Sequence, residues 1–140
     1  MMTAVWRGAC LWVALLACGM SIAAWAQCGP APGALRAEGR EAVVLFQPRP
    51  GPIKVGELFA LDVVVCSKHG EARALTVDAT MPEHKHGMNY KPVVKRGAAG
   101  AAGAFAVTGF MFHMPGRWQL VFDVDTSAGR ERVLHDVTIE

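Results

Sequence analysis

From Ala42 to Glu140 the apolar residues recur with period two or in short continuous runs, and glycine or proline turn signals separate the runs. They read AVVLFQ (42–47), LFALDVVVC (58–66), ALTVDATM (74–81), AFAVTGFMF (104–112), WQLVFDVD (118–125) and RVLHDVTIE (132–140). Side chains two residues apart share one face of a strand, so each run can bury one side and present the other to water. Between the runs stand PRPGP (48–52), SKHG (67–70), GAAGAAG (97–103), MPG (114–116) and TSAG (126–129), all built from turn formers. No window has a helical period with caps at its ends. Short strands punctuated in this way predict an all-β chain, an immunoglobulin-like antiparallel β-sandwich of about seven strands. Within it, PIKVGELF is expected to form a strand, a turn at Gly56 and a re-entry into the core. GAAGAAG is expected to be a flexible hairpin connection.

What precedes Ala42 has a different character. Arg7 is followed by an uncharged run that includes LWVALLACGMSIAAW and ends at Ala24-Trp25-Ala26. A positive start, an apolar middle and small residues before a cut at Gln27 are the layout of a secretory signal, assigned to residues 1–26. Two other readings compete. Leu15-Leu16-Ala17-Cys18 loosely resembles a lipoprotein cleavage box, and the same stretch is long enough to remain as a membrane anchor. All three place the folded domain outside the cytoplasm, in the periplasm. Residues 27–41, including GPAPGALRAEGRE, carry glycine, proline and small residues and are expected to be a flexible lead-in, with the sandwich domain over 42–140.

Loss of the leader would remove Cys10, Cys18 and three of the four tryptophans, leaving Cys28 and Cys66. In an oxidising compartment a Cys28–Cys66 disulfide is the expected pairing, worth roughly 3–4 kcal/mol through loop-closure entropy. Two thiolates contributing to a metal site are the alternative. The 140 residues fit one domain, and a formal charge of +2 with 19% charged residues gives no sign of nucleic-acid binding.

The chemistry-bearing residues cluster. All four methionines beyond the leader, Met81, Met88, Met111 and Met114, fall in MPEHKHGMNY and GFMFHMPGRW, together with His84, His86 and His113. Imidazole and thioether donors suit copper, whereas hard cations need several oxygens. In an extended segment His84, His86 and Met88 would project from one side, with Gly87 allowing a bend, and His113 and Met114 would meet them from a strand end at the same pole. Copper, as Cu(I) through the thioethers or Cu(II) through the imidazoles, is the expected ligand. The competing reading is a solvated polar turn beside core residues, with Met81, Met111 and the flanking phenylalanines packed inside.

Other candidates carry less. Glu83 is the only carboxylate beside the histidines, and in an extended segment it would face away from them, which disfavours zinc. His69 is expected in an exposed turn, His135 in the last strand, and Trp118 as the central core aromatic. Asp62, Asp78, Asp123 and Asp125 read as outward-facing strand residues. No nucleophile motif, phosphate loop or spaced acid–base pair occurs, so no enzyme activity is expected.

MPEHKHGMNYKP followed about twenty residues later by GFMFHMPGRWQLVFDV resembles the YtkA-like family, related to the FixH-type periplasmic domains. The resemblance covers roughly Val43 to Asp125. It implies a small secreted or membrane-anchored β-sandwich of the bacterial envelope, associated with copper handling or with assembly of respiratory and other redox proteins. The H-x-H-G-M pattern falls on His84, His86, Gly87 and Met88, and H-M-P-G-x-W on His113, Met114, Pro115, Gly116 and Trp118. FixH-type members keep an anchor, whereas here the apolar segment ends in Ala-Trp-Ala; membrane attachment is expected only if the leader is retained or lipidated.

Overall fold

The structure is a computed structural model that describes residues 32–97 and 103–140; the leader readings and Cys28 lie outside the described residues. Among the described residues nine strands form: β1 (Leu35–Glu38), β2 (Ala42–Arg49), β3 (Leu58–Ser67), β4 (Ala74–Met81), β5 (His86–Gly87), β6 (Val93–Arg96), β7 (Ala104–Met111), β8 (Gly116–Thr126) and β9 (Gly129–Ile139). They make two antiparallel sheets, in the orders β1-β2-β3-β7-β6 and β5-β4-β8-β9. The seven-strand immunoglobulin order sets A-B-E-D against C-F-G, and β2-β3-β7-β6 against β4-β8-β9 follows it strand for strand. The expected all-β sandwich is thus present, and β1 and β5 are short additions at the sheet edges.

The period-two pattern explains the core. Val44 and Phe46 of β2, Phe59, Leu61, Val63 and Val65 of β3, and Trp118, Leu120, Phe122 and Val124 of β8 all point between the sheets and are buried. Phe59 stacks on Phe110 at 5.1 Å, and Phe112 stacks on Trp118 at 4.5 Å, so aromatic packing is concentrated toward one pole. Among the described residues no buried side-chain nitrogen or oxygen lacks a hydrogen-bond partner.

Three expectations are corrected. Residues 35–38 are a strand, because Leu-Arg-Ala-Glu alternates, with Ala37 buried and Arg36 paired to Glu38 at 2.7 Å outside. PIKVGELF contains no strand before Leu58; Ile53 and Val55 pack against the core from a turn, and the Gly56 N–H donates to the Phe112 carbonyl at 2.8 Å. Met111 is only half-buried. Register passes from Phe59↔Phe110 to Leu61↔Val107, so Thr108 and Gly109 stand opposite Ala60 in a bulge, with Gly109 at φ +88°. The extra residue switches the inward phase of β7 from Phe105 and Val107 to Phe110 and Phe112, and leaves Met111 and His113 facing out.

Candidate functional site

The end of β4, the start of β8 and the segment leaving β7 meet at the aromatic pole. Met81 closes β4 fully buried, and Pro82–Lys85 turns the chain back so that His86 pairs with Met81 and Gly87 with Thr80. The His84 N–H donates to the Met81 carbonyl at 3.1 Å, and Lys85 takes the left-handed conformation at φ +56°. The segment 84–88 is therefore not extended throughout, contrary to expectation: His84 and Lys85 lie in the turn and only His86–Gly87 are strand, because a proline at the second position of a four-residue turn favours reversal over extension.

The reversal nevertheless gathers imidazoles. The ring centroids of His84 and His86 are 5.8 Å apart, and those of His86 and His113 are 5.2 Å apart. Two imidazoles on one ion, with metal–nitrogen distances of about 2 Å, hold their centroids roughly 5 Å apart. His86 is half-buried, and its Nδ1 lies 3.1 Å from the Gly87 carbonyl. A proton on Nδ1 makes that contact a hydrogen bond and leaves Nε2 as the free donor atom. His84 and His113 are exposed.

Trp118 underlies this group. Its ring meets His86 edge-on at 6.0 Å and His113 at 5.4 Å, and its Nε1–H donates to the Met114 carbonyl at 3.0 Å. The expected core role of Trp118 holds, and the same ring also forms the floor beneath two histidines. Period-two phase could place Trp118 inside; its contacts with His86 and His113 needed the folded pairing of β4 with β8. Met88 and Met114 are half-buried and pack against the core beside the histidine segments, while Met81 belongs wholly to the core.

Neighbouring charges are engaged elsewhere. Glu83 accepts from Arg117 Nε at 3.2 Å, and Arg117 also donates to Asp136 at 2.9 Å, so the one carboxylate in the turn is directed toward β8 and β9. His69 is exposed in its turn and contacts Glu41 at 3.0 Å, and that hydrogen bond holds the Glu41 carboxyl below its ordinary range. His135 packs edge-on against Phe46 at 5.0 Å. Among the described residues, no three His, Cys, Asp or Glu side chains are already gathered into a group that could hold an ion. A cavity of about 370 Å³ beside the hairpin is bordered by His86, Lys85, Thr80 and Gln119, but not by His84 or His113. The histidines thus form an open surface row, with the rings of His84 and His113 exposed.

Fold and site together define a small two-sheet β-sandwich with a histidine row and two half-buried methionines at one pole. Comparison of the chain with protein-family models, with curated proteins and with solved structures gave no match. Among the described residues no helix is long and apolar enough to cross a membrane.

Proposed function

We propose that the chain is a non-catalytic, YtkA-like copper-binding module of the periplasm, acting as a metallochaperone or accessory factor for copper or redox protein assembly. The ligands are His84, His86, Met88 and His113, with Met114 alongside, and the metal leaves by ligand exchange to a periplasmic cuproenzyme. A Cys28–Cys66 disulfide accompanies this reading: Cys66 is disulfide-bonded, with a partner outside the described residues. The observation that carries the proposal is the row of three imidazoles at 5.8 and 5.2 Å between successive rings. Imidazoles serve Cu(II), thioethers serve Cu(I), and a surface row leaves coordination positions for an incoming partner ligand.

A second reading rests on the exposure of His84 and His113 at this pole, where a partner's surface could meet them. In it the His/Met pole is a metal-free contact for a partner protein of the envelope. Titration with Cu(I) and Cu(II), followed by native mass spectrometry, separates the two. Copper binding predicts a one-to-one complex that the His84→Ala/His86→Ala/His113→Ala variant does not form, and a thermal midpoint that rises with copper. Equal binding by wild type and variant sinks the copper reading. Trp118 is the sole tryptophan after residue 26, so its fluorescence gives an independent readout beside His86 and His113.

A further inference from the structure

Each edge of a sheet is a row of backbone N–H and C=O groups open to another strand. Three of the sandwich's four edges are short: β1 and β6 have four residues each, and β5 has two. The fourth, β9, has eleven, Gly129–Ile139, and pairs with β8 along its whole length without a bulge. It holds neither proline nor lysine, the residues that blunt an edge. Among the described residues no backbone hydrogen bond reaches its outer side.

The hairpin determines which groups stand on that side. Thr126 pairs with Gly129 across the two-residue turn Ser127-Ala128. The closing pair of such a hairpin exchanges both backbone hydrogen bonds, and bonded pairs then alternate along the ladder. Gly129, Glu131, Val133, His135 and Val137 therefore bond to β8. Arg130, Arg132, Leu134, Asp136 and Thr138 turn their N–H and C=O groups to the free edge. The side chains of this second set lie on the outer face of the sheet and are all exposed, Leu134 by 46%.

This set is complementary to its own reverse. Antiparallel pairing of two β9 strands about Leu134 places Leu134 against Leu134 and Arg132 against Asp136 of the second copy, twice over. Apolar pairs and opposite charges stabilise an antiparallel ladder, and like charges weaken it. Each new contact extends one already present: Leu134 lies opposite Val121, Arg132 binds Asp123, and Asp136 binds Arg117. The joined face would carry an apolar strip, Val121 and Leu134 from both copies, between two rows of alternating charge. Each row runs Asp123, Arg132, then Asp136 and Arg117 of the second copy. Other centres match less well. Arg132 or Asp136 at the centre would face itself, and Val133 or His135 there would set Leu134 against a charge.

We propose that β9 is the interface of a symmetric dimer, in which two copies of the chain pair their β9 edges antiparallel about Leu134 and join their four-stranded sheets into one. Trp118 lies opposite Val137 near the end of β9, so the two histidine rows stand at opposite ends of the joined sheet. The pairing needs no metal and does not rest on the copper reading.

The test uses the full chain exported into an oxidising compartment and kept free of copper. Sedimentation should show twice the mass of one chain as concentration rises. Leu134→Pro removes an N–H that only the dimer uses, and Leu134→Lys sets like charges across the twofold axis. Both should be monomers in which the near-ultraviolet signal of Trp118 is unchanged. Arg132→Asp and Asp136→Arg should each be monomeric alone and dimeric when mixed, because only the mixed pair restores opposite charges at both contacts. His84→Ala/His86→Ala/His113→Ala should dimerise as wild type does, so loss of copper binding and loss of the dimer are read separately. A wild type that stays monomeric at every concentration, a dimer that survives both Leu134 variants, or a mixture that stays monomeric overturns the proposal.

Discussion

Trp118 donates its indole N–H to the Met114 carbonyl at 3.0 Å while its ring lies stacked on Phe112, so one buried side chain fixes both the core and the turn between β7 and β8. Trp118→Phe keeps most of the stacking area but leaves the carbonyl without its donor. A cost of about 1–3 kcal/mol is expected from the unmade bond. Trp118→Ala should cost more, about 3–5 kcal/mol, because a cavity is added. Urea denaturation of both variants measures the difference; a Trp118→Phe variant as stable as wild type would show that the hydrogen bond contributes nothing separable.

Gly109 lies in the bulge at which β7 changes its inward phase. At φ +88° a side chain is strained, although the nearest atom to an added Cβ, the Lys91 carbonyl oxygen, is at an ordinary 3.5 Å. Gly109→Ala should therefore lose about 1–2 kcal/mol from backbone conformation rather than from a clash. Deleting Gly109 should instead be tolerated by the core, since it removes the extra residue and brings Val107, Phe110 and Phe112 into one unbroken inward alternation opposite β3. Thermal melts of the two variants, compared with Thr108→Ala, provide the check.

Most of the sandwich could be read from alternation, because burial of one strand face imposes a period that survives in the residues. The bulge was written there too: Phe105 and Val107 are in one phase, Phe110 and Phe112 in the other, with a glycine between them. β1 was obscured because its four residues lie between glycine- and proline-rich stretches, and local composition does not reveal pairing with a distant strand. At the site, the donor types and two segments were legible, but their local shape was not. His84 and His86 are adjacent through the turn begun by Pro82, and not through the two-residue repeat of a strand. The part played by Trp118 needed tertiary contact, for which spacing along the chain carries no signal.

Acid should loosen the β8–β9 ladder in a defined direction. Arg132 donates to both carboxylate oxygens of Asp123 at 2.8 Å, and these bonds hold the Asp123 carboxyl below its usual range. Asp125 is lowered likewise by its bonds from Arg130. A lowered folded pKa gives stability that is fully present above the unfolded value, near about 4, and is lost as pH falls through the folded value. Asp123→Asn should consequently be less stable than wild type at neutral pH and converge with it in acid. Urea midpoints across that range check the sign; a constant gap would mean that the ion pair is not the source.

Arg117 links the turn that carries His84 to β8 and β9. It donates from Nε to Glu83 at 3.2 Å and from Nη1 to Asp136 at 2.9 Å, and Gln119 donates to the other oxygen of Asp136 at 2.9 Å. Glu83 immediately precedes His84, so this network holds the turn against β8 and β9. Because the charges are largely exposed, Arg117→Met should change stability little. Its effect should fall on order: backbone amides of Glu83–Lys85 should exchange faster with solvent, and copper affinity should drop even though no proposed ligand has been altered. Arg36→Met, which breaks a comparable exposed pair with Glu38 on β1, should leave both readouts unchanged. Faster exchange without loss of affinity would mean that the turn's anchoring is structural alone, and unchanged exchange would mean that the Pro82 turn holds His84 without help.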